Sequence, residues 1–241
     1  MGKGVVMKPF YGILFVALFT AGSVMAGTKR GEQYIAVYGG FAAISSGTVK
    51  GRIEQFGLLE RVPPPYHFST PYDRSTSGTA GLRIGYWSPI DYEIWEWGLA
   101  GDMSFFRAQS TKPDTDINVL PISLLALLRY PMLVSKDYPH GRTYPYLGIG
   151  PSVVTAKITT EAIHDNGSRV VSVTDIGVGF DLRTGWAWRL SERADWFVEY
   201  RFLAAHISGS NEDYRALFAD RIDLSTSFTS HHLLSGLSFR F

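Results

Sequence analysis

The chain has 241 residues, 45% of them hydrophobic, with 23 basic and 22 acidic residues and no cysteine. This near balance of charge gives no basic surface for nucleic acid, and the lack of cysteine rules out a disulfide scaffold or a thiolate metal site. No compositional shift or long linker divides the chain, so one domain is expected.

Lys3 and Lys8 precede an apolar run from Phe10 to Phe19, and Val24-Met25-Ala26 follows with small or compact side chains. This reads as a secretory signal peptide over residues 1–26 with cleavage after Ala26. The run falls well short of the ~20 apolar residues of a membrane-spanning helix. Cleavage leaves residues 27–241, with 21 basic against 22 acidic side chains.

Eight segments alternate apolar and polar residues and are expected as strands, at 33–46, 78–88, 95–108, 117–131, 143–158, 173–190, 195–208 and 227–241. In the third, Trp95, Trp97, Leu99, Met103 and Phe105 share one face, opposite Glu96, Gly98, Ala100, Asp102 and Ser104. The sixth sets Ile176, Val178, Phe180, Leu182, Trp186 and Trp188 against Asp175, Gly177, Gly179, Asp181, Arg183 and Arg189. In the seventh, Trp196, Val198, Tyr200, Phe202 and Ala204 alternate with Phe197, Glu199, Arg201, Leu203 and Ala205. A soluble sandwich would alternate as well, with its apolar face inside. The leader and the terminal phenylalanine favour a membrane barrel.

Connections are expected to alternate between long loops at 47–77, 109–116, 159–172 and 209–226 and shorter turns at 89–94, 132–142 and 191–194. Outer-membrane barrels have long extracellular loops and short periplasmic turns, so both termini are expected in the periplasm. All six tryptophans, Trp87 included, fall near the short-turn end and are expected to form an interfacial girdle with Phe239 and Phe241.

The last strand places Leu233, Leu237, Phe239 and Phe241 on one face and Gly236, Ser238 and Arg240 on the other. It resembles the terminal strand of bacterial outer-membrane proteins. That resemblance implies that Leu237, Phe239 and Phe241 form the signal read by the barrel-insertion machinery. With Gly81-Leu82-Arg83-Ile84-Gly85-Tyr86, Tyr144-Pro145-Tyr146-Leu147-Gly148-Ile149-Gly150 and Phe197-Val198-Glu199-Tyr200-Arg201-Phe202, the mature chain is similar to the eight-stranded outer-membrane β-barrel superfamily of the OmpA transmembrane-domain and OmpX kind. The resemblance implies an all-β, antiparallel, up-and-down transmembrane barrel in the bacterial outer membrane, surrounded by lipid and lipopolysaccharide.

Eight strands enclose a space that side chains can fill. Arg83, Glu96, Asp102, Arg129, Asp181, Arg183, Glu199, Arg201 and Arg240 are expected to face inward as an ion-pair network, a narrow ion path being the alternative. Gly148, Gly150, Gly177 and Gly179 are expected as inward glycines that relieve crowding.

His206 and Ser208 share the outward face of the seventh strand. The pair resembles the lipid-facing His-x-Ser of outer-membrane lipid A 3-O-deacylases. The resemblance implies a histidine base, a serine nucleophile and an orienting acid. Two departures stand against it: Gly209 follows Ser208 where the deacylases have asparagine, and the final strand has no glutamate. Glu212, Asp213, Asp220 and Asp223 are expected only in a loop.

His231 and His232 should face opposite ways, while His67, His140 and His164 are scattered, so no metal site and no cofactor are expected. The 47–77 loop, with Pro63-Pro64-Pro65, Tyr66, His67, Phe68 and Tyr72, is the candidate for extracellular ligand capture. The expected function is non-enzymatic, in envelope integrity or surface interaction. A lipid A deacylase-like hydrolase and a narrow channel are the alternatives.

Overall fold

The computed structural model describes residues 31–57, 66–88, 95–111, 114–138, 140–164, 167–215 and 218–241, and the expected leader at 1–26 lies outside them. Ten strands follow in order: β1 (Glu32–Ile44), β2 (Gly47–Gly57), β3 (Tyr66–Tyr72), β4 (Ser75–Trp87), β5 (Glu96–Thr111), β6 (Asp114–Arg129), β7 (Thr143–His164), β8 (Gly167–Arg189), β9 (Ala194–Arg215) and β10 (Phe218–Arg240). All are antiparallel to their neighbours. Because β10 returns to β1, with Phe239 opposite Ile35, the sheet closes on itself and leaves no edge along its lower part.

The barrel has eight staves. β2 continues β1 along the upper part of β10, and β3 continues β4 along β2. Ile44 faces Ser230 while Val49 faces Thr226, so four residues on one side oppose three on the other and a bulge lies at Ser45-Ser46. It is held by Ser45 N–H on the Thr229 carbonyl at 3.0 Å and Thr229 Oγ1 on Ser45 Oγ at 3.0 Å. The bulge reverses the inward parity from even positions (Ala42, Ile44) to odd ones (Val49, Gly51).

Alternation sets the two faces. Outward positions carry Val37, Phe41, Leu99, Phe105, Leu124, Leu147, Val153, Val178 and Phe180, all exposed, while their neighbours are buried inside. Trp95, Trp97, Trp186, Trp188 and Trp196 share one end of the outer wall, with Trp188 stacked on Trp196 at 4.8 Å. Trp87 is the correction: it shares the odd parity of Arg83, is 6% exposed, and points into the barrel.

The expected loops are the larger correction. Most of 47–77, 109–116, 159–172 and 209–226 is paired strand, so connections at that end are shorter than the 130–142 segment at the end where β1 starts and β10 finishes. Segments such as Lys157-Ile158-Thr159-Thr160 lose the apolar outer face but keep β-branched residues, and strand pairing needs only the latter. Residues 58–65, with the three prolines, lie outside the described residues.

Above the apolar band the wall divides. The β8–β9 register ends at Val178 opposite His206, and the β4–β5 register ends at Thr79 opposite Phe106. Beyond these points the tops of β5 to β8 form one leaf, and those of β9, β10, β2 and β3 another.

Candidate functional site

The interior is layered. At mid-height Arg183 is the hub, donating to both oxygens of Asp102 at 2.6 and 2.8 Å, to Asp181 at 2.8 and 3.0 Å, and to Glu199 at 3.2 Å. Arg83 bridges Glu199 at 2.6 Å and Asp102 at 3.2 Å, and Arg201 reaches Asp181 at 2.7 Å and Ser104 at 2.6 Å. Three arginines thus meet three carboxylates, and the cluster is neutral. Tyr38, Tyr146 and Ser123 donate to Asp102, Glu199 and Asp181 at 2.7, 2.8 and 2.6 Å, occupying the lone pairs that the arginines leave.

A second cluster closes the end where β1 starts and β10 finishes. Arg129 donates to Glu32 at 2.6 Å and to Glu96 at 2.5 Å, and His140 Nδ1 lies 2.8 Å from Glu96. Arg240 joins Glu32 at 3.1 Å to Asp195 at 2.9 Å, and Arg189 lies 3.5 Å from Glu32 and 3.7 Å from Asp195. Here too three arginines balance three carboxylates.

All nine charged residues expected inside are there, divided between these two clusters. Sequence reasoning passed over Glu32 and Asp195, which sit at strand starts where few neighbours reveal the alternation. It also missed the tyrosines, because a hydroxyl that completes a carboxylate shell is set by cross-strand register.

Between the clusters lies an aromatic layer. The Arg129 guanidinium sits 4.4 Å from the Trp87 ring and 4.8 Å from that of Tyr144, and Tyr34 stacks on Trp87 at 6.2 Å. Tyr34, Tyr38 and Tyr146 lie over Gly85, Gly81 and Gly185 opposite them, where any Cβ would strike the rings. The space left in this layer is about 20 Å³.

Above the central cluster the interior turns apolar. Ile44, Val49, Phe106, Val119, Val154, Ile158, Leu203, Ile207 and Phe228 pack together, drawn from both leaves of the wall. His232 lies beneath them, buried, with Ser230 at 2.9 Å and the Phe106 ring at 4.8 Å. Inward glycines bring strands close: a Cβ at Gly150 would collide with the Leu124 carbonyl, and one at Gly177 with that of His206.

The outer wall carries polar pairs along the β9–β10 seam. Trp196 donates to Ser235 at 2.9 Å, Tyr200 OH lies 2.6 Å from His231 Nδ1, and His206 Nδ1 lies 2.7 Å from Ser227 Oγ. His206 therefore pairs with Ser227, directly opposite on β10, and Ser208 stands opposite Ser225. Glu212, Asp213, Asp220 and Asp223, expected in a loop, belong to β9 and β10. Asp223 is four residues from Ser227 along β10, about 13 Å at the rise of a strand. His231 is exposed and His232 buried, His67 is exposed on β3, and the side chain of His164 lies outside the described residues. Leu237, Phe239 and Phe241 face outward, and the Phe241 N–H is held by the Gln33 carbonyl at 3.1 Å.

Among solved structures, neisserial surface protein A is 15% identical, with 85% of this chain and 99% of that one covered and a TM-score of 0.42. The outer membrane protein OprG of Pseudomonas aeruginosa is 17% identical, with coverages of 87% and 96% and a TM-score of 0.38. Ail of Yersinia pestis, in complex with the heparin analogue sucrose octasulfate, is 11% identical, with coverages of 88% and 99% and a TM-score of 0.36. No curated protein matches the chain. The model of the outer membrane protein beta-barrel domain matches residues 12–240, nearly the whole chain, which therefore belongs to that family of outer-membrane barrels.

Proposed function

We propose that the protein is a non-enzymatic outer-membrane barrel that supports envelope integrity and surface interaction through the wall projecting beyond the membrane. The observation that carries this reading is the filled interior. Among the described residues, two neutral ion clusters, an aromatic layer and an apolar plug follow one another along the barrel and fill the space that eight strands enclose.

In this reading residues 1–26 direct export, and Leu237, Phe239 and Phe241 present the outward terminal face to the insertion machinery. Both termini are periplasmic. The tall end, with β2, β3 and the upper parts of β7 to β10, stands outside the cell, where lipopolysaccharide surrounds its base and the 47–77 hairpin meets extracellular ligands.

The test compares cells with and without the protein, and purified protein in planar bilayers. Loss of the protein is expected to increase sensitivity to detergents, lipid A masses should not change, and the folded protein should be electrically silent. Discrete single-channel currents would replace this reading with the channel. A lipid A acyl chain missing only when His206 and Ser208 or Ser227 are intact would replace it with the hydrolase.

A further inference from the structure

Where β8 and β9 part, the outer wall is hollowed. A groove of about 540 Å³ runs over Ala204 between Val178 and Phe180 on β8 and Ser227 and Thr229 on β10, with the His206–Ser227 pair beside it. The groove is shallow and open along its outer side, a seat for a chain lying against the wall and not an enclosed cavity. The hollow follows from residue size: Ala204 presents only a methyl group between the flanking side chains, and Gly179 and Ala205 thin the wall behind it.

Position identifies the occupant. His206 stands ten residues above Trp196 on the same outward face of β9, roughly 25 Å along the barrel axis at the usual strand rise and tilt. That is the height of the apolar band of a membrane barrel. With Trp196 at one interface, the polar pair marks the other, and the groove below it continues the lipid-facing surface. A hollow there is filled by hydrocarbon.

We propose that this groove binds one acyl chain of an outer-leaflet glycolipid of the lipid A type, with the oxygen functions at the head of the chain on His206. In the tautomer where Ser227 O–H donates to Nδ1, the ring N–H is at Nε2, which donates to an ester or hydroxyl oxygen. The outer-leaflet assignment rests on the orientation proposed above.

Native mass spectrometry of the full chain in mild detergent, titrated with purified lipid A and with phosphatidylethanolamine, tests the site. Wild type is expected to retain one lipid A, in preference to phosphatidylethanolamine. Ala204→Trp and Val178→Trp, which fill the hollow from its floor and wall, should bind about tenfold more weakly. His206→Ala should erase the preference. A heat-modifiable gel shift checks that each variant is folded.

Equal retention by wild type and both tryptophan variants overturns the proposal. So does release of fatty acid that ceases in Ser227→Ala, which would make the pair a hydrolase. Orientation is checked separately, because the chain lacks cysteine: Ser69→Cys, exposed on β3, should react with an impermeant maleimide on intact cells. If it is shielded, the orientation and with it the lipid A assignment fail; if it reacts while the tryptophan variants bind normally, the groove alone fails.

Discussion

Arg183 touches all three carboxylates of the central cluster. Its removal leaves three buried anions to two arginines, so Arg183→Ala should lose ~3–5 kcal/mol, as expected for breaking a buried ion pair. Urea unfolding in micelles measures this. Arg183→Lys should recover only part, because an ammonium cannot supply the two-pronged contact to Asp102. On the outer wall the Tyr200 hydroxyl lies 2.6 Å from His231 Nδ1. Tyr200→Phe should cost ~0.5–1.5 kcal/mol in the same assay. The charges in the lumen were legible from parity alone, since an acid or arginine on the face opposite leucine and tryptophan has nowhere else to go. Their partners were not, because Arg183 and Asp102 are 81 residues apart and only closure unites them.

At the scale of the strand, spacing limits what the wall accepts. Gly150→Ala should destabilise the folded barrel, read as a lower temperature of the heat-modifiable transition, because the new methyl group meets the backbone of β6. Gly78→Ala has open space around it and should be neutral. Deleting Phe241, which is outward and exposed, should leave stability in micelles within ~0.5 kcal/mol while assembly in cells falls. Equal assembly with and without it would remove its role as an insertion signal. Trp87 and the Ser45-Ser46 bulge show why element boundaries were harder to read. One residue's difference in register decides whether a ring faces lipid or lumen, and the bulge changes parity with no glycine or proline at Ser45-Ser46 to announce it.

For the whole molecule, closure gives cooperativity while the divided top gives local freedom. Amides of 79–87 and 178–189, paired on both sides, should exchange hydrogen more slowly than those of 107–111 or 207–215, which line the two seams. Hydrogen exchange of the protein in micelles reads this difference directly. Uniform protection up to the turns would mean that the two leaves are joined.

The sequence by itself determined the class of the molecule. A period of two repeated over eight segments suits a sandwich or a barrel, and the tryptophans gathered at one end favour the barrel wall in lipid, the class to which the family match assigns the chain. It also marked most of the inward charges, because parity is local, although Glu32 and Asp195 at strand starts escaped it. Only the tertiary structure decided that the supposed loops continue the wall, since strand pairing persists without an apolar face. Only closure decided that the charges divide into two neutral clusters around an aromatic layer, and only the β9–β10 register decided that His206 meets Ser227 instead of Ser208. The physical reason is the same in each case: hydrogen bonds and ion pairs across a barrel join residues by register, and register depends on the neighbouring strand.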